Sequence, residues 1–407
     1  MRRTSKERLA EKIACFGNFG ADERGGITRL SLSPAALDAC AEFRRRCVDL
    51  GLAVRCDDMG NIYAVKQGAE DLPGPAMGSH ADSVVNGGNY DGMLGVLAAL
   101  EVLETMVGDG ISTRRPVSAV IWTNEEGVRF PPAMMSSGVL TGKFDKSAVL
   151  AVRDSDGVSF GEALSAGGRQ GDRAARLSPA TCTAYLELHI EQGPVLDESG
   201  ESVGVVQGVV GMCNYTISVF GQAGHAGSTP MSRRRDALYA AAGIIRRLHD
   251  ELGRIEGGPV FTCGHIECRP NMHTIIPEEV SFSLDARHRD PDVMRRVVGV
   301  IAALPREPDG CRVEYREEWS RKTTLFDPAL AAVVKRNADA LGYANRFMFS
   351  GPGHDAQYVQ DMLPAAMIFV PSIGGRSHCP DENTSLDDCR NGADVLLNAV
   401  LELADAQ

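Results

Sequence analysis

Apolar positions along this chain follow two periods, and the dominant period changes twice between the termini. From Lys6 to about Leu52 the spacing is helical, and Pro34-Ala35-Ala36-Leu37 predicts the first turn of a helix running through Phe43 and Leu50. Short strands are predicted at Ala53–Asp57, Ile62–Val65 and Ala76–His80. A helix from Leu94 to Met106 is apolar at Leu94, Leu97, Leu100 and Leu103, and Val117–Trp122, apolar except at Ser118, is a buried strand. Strands alternating with helices in this way predict an α/β domain whose mixed sheet is mainly parallel and flanked by helices.

Between residues 212 and 321 the order becomes strand (Tyr215–Phe220), helix (Ala237–Leu252), strand (Val260–Thr262), alternating strand (Val280–Arg287), helix (Asp292–Leu304), strand (Arg312–Tyr315). β-α-β-β-α-β is the order of a ferredoxin-like α+β unit. From about Thr323 the α/β pattern returns, with a helix from Pro328 to Leu341 and a buried strand at Ala366–Val370. Segments 1–211 and 322–407 are therefore expected to form one discontinuous catalytic domain, with 212–321 inserted into it.

A length of 407 residues agrees with two domains, and 43% hydrophobic with 24% charged residues is a globular composition. A formal net charge of −12 argues against nucleic acid as a partner, and the run Arg233-Arg234-Arg235 reads as a solvated helix start. The basic start Met1–Arg8 is followed by no apolar stretch of signal-peptide type, and no run of about 18 apolar residues predicts a membrane span. Eleven cysteines without a CxxC pair read as reduced residues of a cytoplasmic protein; Cys379, beside His378, has no partner cysteine nearby.

The chemistry lies in segments punctuated by Gly or Pro. Gly78-Ser79-His80-Ala81-Asp82 ends a predicted strand, and Gly87-Gly88-Asn89-Tyr90-Asp91-Gly92 precedes the first long apolar helix. Thr123-Asn124-Glu125-Glu126-Gly127 follows the apolar strand, His189 opens His189-Ile190-Glu191-Gln192-Gly193-Pro194, and His378 lies in Ser377-His378-Cys379-Pro380-Asp381-Glu382. Singly, an HxD or an Asp in a Gly-rich turn is more often a surface turn, and a lone strand histidine is more often a satisfied core residue. Adjacent glutamates at the end of an apolar strand are harder to dismiss, because neighbouring carboxylates repel unless one meets a cation. Sites on parallel sheets lie beyond the carboxyl ends of the strands, where all five segments fall. Three imidazoles with two or three carboxylates suit a pair of divalent cations and a bridging hydroxide.

On these motifs, together with Asn124–Phe130 and Gly224-His225-Ala226-Gly227-Ser228-Thr229-Pro230-Met231, the chain resembles the amidase/hydantoinase/carbamoylase branch of the dinuclear-metal aminoacylase and carboxypeptidase family over nearly its whole length. The resemblance implies that His80 and His189 hold one metal, Glu126 and His378 the other, and that Asp91 bridges them. It makes Glu125 the general base and Asp82 the partner of His80. It implies two divalent ions, zinc or manganese first, with cobalt and nickel as alternatives. It further implies a cytoplasmic homodimer formed through the inserted lid domain, and a small ureido or amide carboxylic acid as substrate. Substrate contacts carried over are His225 for the oxyanion, Arg287 for the carboxylate, and Asn271, Thr274 and Gln192. In Val280–Arg287, Ser281, Ser283, Asp285 and Arg287 share one face, so an Arg287–Asp285 surface pair is the competing reading for Arg287. Thr274 stands where relatives carry a substrate-contacting asparagine, and a hydroxyl is a shorter donor than a carboxamide. The activity implied is hydrolysis of an N-carbamoyl-L-amino acid to amino acid, carbon dioxide and ammonia. Allantoate or ureidoglycolate amidohydrolysis is the nearest alternative, and an aminoacylase or dipeptidase a more distant one.

Overall fold

The computed structural model describes residues 1–405. The chain forms two compact units, Met1–Gly208 with Leu325–Gln407, and Val209–Thr324.

The first unit is built on a nine-stranded sheet. Its centre is four parallel strands in the spatial order Val117–Trp122, Gly74–His80, Cys182–Ile190, Ala365–Val370. Ile62–Lys66 and then Ala53–Cys56 extend one side in antiparallel sense, and Val203–Val209 pairs antiparallel on the other. Gly74–His80 and Ala365–Val370 are buried at every residue, as expected where a parallel sheet is covered on both faces. Helix Met93–Gly108 is buried around most of its circumference, against strand Gly74–His80 and helix Leu386–Asp405.

Strand Val117–Trp122 and helix Pro328–Leu341 have the bounds the pattern predicts. The helical spacing from Lys6 to Leu52 resolves into two helices, Lys6–Phe16 and Pro34–Asp49, the second opening at Pro34 as the pattern predicts. Gly17, Gly20, Gly25 and Gly26 interrupt the first, and the intervening loop is tied to the metal-site segment. Ile27 and Gly87 exchange both backbone hydrogen bonds, at 2.9 and 2.8 Å. Arg29 is buried in this loop and donates to the carbonyl oxygens of Ala81 (2.6 Å), Phe16 (3.1 Å) and Phe19 (2.9 Å). Burial lowers its pKa to about 10, so it stays charged at neutral pH.

In the second unit, Gly211–Phe220, Glu279–His288 and Arg312–Arg321 form an antiparallel sheet with Ile266–Arg269 at one edge. Numbering the strands by sequence, the spatial order is fourth, first, third, second, which is the ferredoxin-like arrangement. The second strand is broken: Val260–Thr262 and Ile266–Arg269 pair with successive parts of the same neighbour. Helices Ala237–Gly253 and Pro291–Ala302 pack on the sheet face that carries Val280, Phe282 and Leu284. Among the described residues, no helix is long and apolar enough to cross a membrane.

Candidate metal centre

Four strand ends of the parallel sheet converge on Asp91. His80 is the last residue of its strand, Glu125 and Glu126 follow Trp122, His189 is next to last in its strand, and His378 follows Val370 by a loop. Asp91 Oδ1 lies 3.4 Å from His80 Nε2 and 3.2 Å from His189 Nε2, while Asp91 Oδ2 lies 3.2 Å from His378 Nε2. His378 Nε2 is also 3.7 Å from Glu126 Oε2. The structure thus assembles two ligand groups that share Asp91: His80, Asp91 and His189, all buried, and Asp91, Glu126 and His378, nearer the surface.

Local geometry aims these side chains. Nδ1 of His80 lies 3.0 Å from the Asp82 carbonyl oxygen, and Nδ1 of His189 lies 2.9 Å from that of Ile190. Donating to a backbone carbonyl fixes each ring and leaves Nε2 toward Asp91. Gly92, at the start of the buried helix, has φ 63°, and a Cβ there would fall 2.2–2.4 Å from the His80 ring atoms. Only glycine allows the Asp91 turn to pack this close. Asn124, Gln192 and His378 occupy the left-handed region at φ 62°, 57° and 56°. Such backbone strain at three site loops is held by the surrounding structure; the Asn124 amide, for example, donates to Phe130 O at 2.7 Å.

Asp82 differs from expectation. Its carboxylate is 3.9 Å from His80 Nδ1 and accepts instead from the backbone N–H groups of Glu125 (3.2 Å) and Glu126 (3.1 Å). The backbone carbonyl of Asp82 takes the imidazole, because the chain turns immediately after the strand and brings that oxygen closer. Gln192, expected at the substrate, donates from Nε2 to Asp91 Oδ2 at 2.7 Å.

The charges do not balance without a cation. Among the described residues, no lysine or arginine pairs with Asp91, Glu125 or Glu126; their ionic neighbours are the three imidazoles. Burial raises Glu125 well above the usual carboxylate range, reinforced by Asp355, Glu126 and Asp82. Burial and Asp91 bring Glu126 to about 7. The hydrogen bond to Asp91 and the nearby Glu126 raise His378 to about 9 against the effect of burial. Glu126 Oε1 is buried with no hydrogen-bond partner. Imidazole nitrogens and an orphaned carboxylate oxygen converging on a shared carboxylate form a donor set that fits divalent cations.

Several buried residues at the site carried no expectation. Glu187 lies two positions before His189 on the same strand face and accepts from Ser79 Oγ (2.7 Å) and Ala356 N (3.0 Å). His354 packs edge-on against the His189 ring, centroids 4.5 Å apart, and Asp355 accepts from Ser137 Oγ at 2.5 Å. Gly351-Pro352-Gly353-His354-Asp355 has the same Gly/Pro punctuation as the other ligand segments, which was a usable signal. Glu382 accepts from Tyr90 N and Asp91 N, each 3.0 Å from Oε1, and from His378 N, 3.3 Å from Oε2.

The other expected substrate contacts, His225, Asn271, Thr274 and Arg287, belong to the second unit. Gly224–His225 pairs with Ile275–Ile276, and Ala226 N donates to Thr274 O at 2.9 Å, so His225 and Thr274 stand side by side. Nδ1 of His225 accepts from Gly227 N (3.0 Å) and Ser228 N (3.2 Å), which puts the neutral ring's proton on Nε2. Asn271 is exposed, at φ 57°. Arg287 forms a two-pronged pair with Asp285, at 2.8 and 3.3 Å, on the open face of the sheet.

Comparison with known proteins agrees with this geometry. The profile of Peptidase family M20/M25/M40 matches residues 70–402. The N-carbamoyl-L-amino acid amidohydrolase of Geobacillus stearothermophilus is 38% identical over 411 residues, covering 98% of this chain and 99% of the relative. The allantoate amidohydrolase of Escherichia coli (strain K12) is 36% identical, covering 98% of each. The crystal structure of an amidase of the hydantoinase/carbamoylase family from Burkholderia multivorans superposes with a TM-score of 0.92 at 36% identity, covering 99% of both chains.

Proposed function

The chain belongs to Peptidase family M20/M25/M40, and from that premise we propose that it hydrolyses the ureido C–N bond of N-carbamoyl-L-amino acids. It is a hydrolase of carbon–nitrogen bonds other than peptide bonds. One water is consumed, and amino acid, carbon dioxide and ammonia are released. The reading rests above all on one observation: two metal-ligand groups share Asp91, with the elevated carboxyl of Glu125 3.7 Å from His80 Nε2.

His80, Asp91 and His189 would hold one divalent ion, and Asp91, Glu126 and His378 a second; zinc or manganese suits this ligation. Bound there, the ions supply Lewis-acid polarisation of the scissile carbonyl and acidify the attacking water. Glu125 takes the proton of that water and delivers it to the leaving nitrogen, a role suited to a carboxyl whose pKa burial raises above the usual carboxylate range. Asp82 holds Glu125 in place through its backbone N–H. Gln192 orients Asp91 through its amide. His225 donates from Nε2 to the developing oxyanion, its Nδ1 being already engaged as an acceptor. Arg287 receives the substrate carboxylate by exchanging Asp285 for it, while Asn271 and Thr274 line the substrate's approach. The inserted unit serves as lid and homodimer interface, and eleven unpaired cysteines suit a reducing cytoplasm.

Allantoate-type amidohydrolysis is the second reading, supported by Thr274 in the asparagine position and by near-equal identity to relatives of both names. Ammonia release from N-carbamoyl-L-amino acids and allantoate, with amino-acid release from N-acetyl amino acids and dipeptides, tests both. Fastest turnover is expected on an N-carbamoyl-L-amino acid. Turnover confined to allantoate moves the assignment to the second reading, and turnover of acetyl or dipeptide substrates alone overturns both.

A further inference from the structure

Glu382 lies outside every expected ligand or base, yet its carboxylate links the segment of the shared Asp91 to that of the outer His378. It is 5% exposed, and no lysine or arginine pairs with it among the described residues. Oε1 takes the N–H groups of Tyr90 and Asp91, and Oε2 takes His378 N. Ser377 Oγ stands 2.9 Å from Glu382 Oε2 and 3.1 Å from Asp91 Oδ2, so its one proton serves either carboxylate. A turn closed by Glu382 N to Cys379 O, 3.1 Å, brings the side chain back toward His378. Room for it comes from the Gly87-Gly88 pair: a Cβ on Gly88 would lie 2.1 Å from Glu382 Oε1 and 2.3 Å from its Cβ.

Each of these contacts is with the backbone or hydroxyl of a segment that carries a ligand, and none is with a ligating atom. A carboxylate held by N–H dipoles and one shared hydroxyl, beside Asp91, is costly to bury in its charged form unless cations lie beyond those ligands. We propose that Glu382 is a positioning residue that locks the Asp91 and His378 backbones into one unit and thereby sets the affinity of the outer, Glu126–His378 metal position. The proposal rests on the two-metal reading above. It also gives a physical reason for two glycines before Asn89: the second must be bare for the carboxylate to reach Asp91 N.

Glutamine at 382 is close to isosteric, but its NH2 would face N–H donors at one of the two loops, and His378 N cannot turn to accept. Zinc binding to the full-length protein by equilibrium dialysis and elemental analysis, with thermal unfolding as the check on folding, tests the proposal. Wild type is expected to bind two equivalents. Glu382→Gln should keep one at wild-type affinity and bind the second about 10–100-fold more weakly, the range for lost support of a metal ligand. Excess zinc should then restore kcat with KM unchanged, a recovery that a merely structural defect would not show. Ser377→Ala, which removes a single hydroxyl, should weaken the same equivalent by a smaller factor, and it carries the test if Glu382→Gln does not fold. Two wild-type affinities in a folded Glu382→Gln or Ser377→Ala protein, or equal weakening of both equivalents, overturns the proposal alone. Fewer than two equivalents in wild type overturns the two-metal reading and this proposal with it.

Discussion

The two halves of the centre share Asp91 but are built differently. On the inner side, His80 and His189 sit on adjacent core strands, fully buried, each ring braced by a backbone carbonyl one or two residues ahead. On the outer side, His378 is carried by a loop at φ 56° with its side chain 48% exposed, and Glu126 lies on another loop with one oxygen unpartnered. Strand ends are placed by the sheet ladder, whereas loops are placed by whatever hydrogen bonds hold their backbone. The inner position therefore inherits the rigidity of the core, and the outer one depends on side chains such as Asp82 and Glu382 that grip loop N–H groups. On the proposed two-metal reading, the ion of the outer position is expected to exchange more readily than that of the inner one.

Three measurements sharpen or break this contrast. The largest effect is expected from Glu125→Gln, which removes none of the residues of the two ligand groups. Its kcat should fall by about 10²–10⁴-fold, the usual contribution of a positioned general acid–base, while both metal equivalents stay bound. Activity within a few-fold of wild type would remove Glu125 from the mechanism.

Replacing one histidine from each half tests the asymmetry directly. In His189→Ala the firmly held equivalent should be lost, with metal affinity falling by more than the roughly 100-fold upper range for an outer supporting group. In His378→Ala one equivalent should survive dialysis against a weak chelator. Identical metal content in the two variants would show that the halves are energetically alike.

The smallest effect is expected in the second unit. Arg287→Ala should raise KM for carboxylate-bearing substrates by about tenfold or somewhat more, in line with about 1.5–3 kcal/mol for a charged hydrogen bond, and leave both zinc affinities unchanged. Because Arg287 already pairs with Asp285, part of that gain is spent on exchanging partners. An equal KM change for neutral amides would remove the carboxylate role.

The residues that the structure gathers around Asp91 were legible in the sequence because a buried carboxylate or imidazole at a strand end needs special backbone, and Gly78, Gly87, Gly88, Gly92 and Gly127 mark those places. The strand and helix order of the inserted unit was equally legible, since period-two and helical patterns alternate cleanly there. Other features were not. The helix opening at Pro34 was foreseen, but that the loop between Phe16 and Pro34 pairs Ile27 with Gly87 and braces the metal segment was not. The helix Leu386–Asp405 carries a clear helical period in Cys389, Ala393, Leu396, Leu397 and Val400 that was there to be used, whereas the helices at Met135–Leu140, Lys146–Leu150 and Phe160–Ala166 are too short to show one.

What the amino-acid order determines unaided is therefore the periodicity of each element and the chemical type of each ligand, both local properties of a few neighbouring residues. Tertiary structure alone decides which oxygen of Asp82 meets His80, that Arg287 rests on Asp285, and that Glu382 joins two loops nearly 300 positions apart, Asp91 and Glu382 being separated by 291 residues. Those outcomes depend on angles of a few degrees and distances of about an ångström set by packing, and no short-range pattern encodes them.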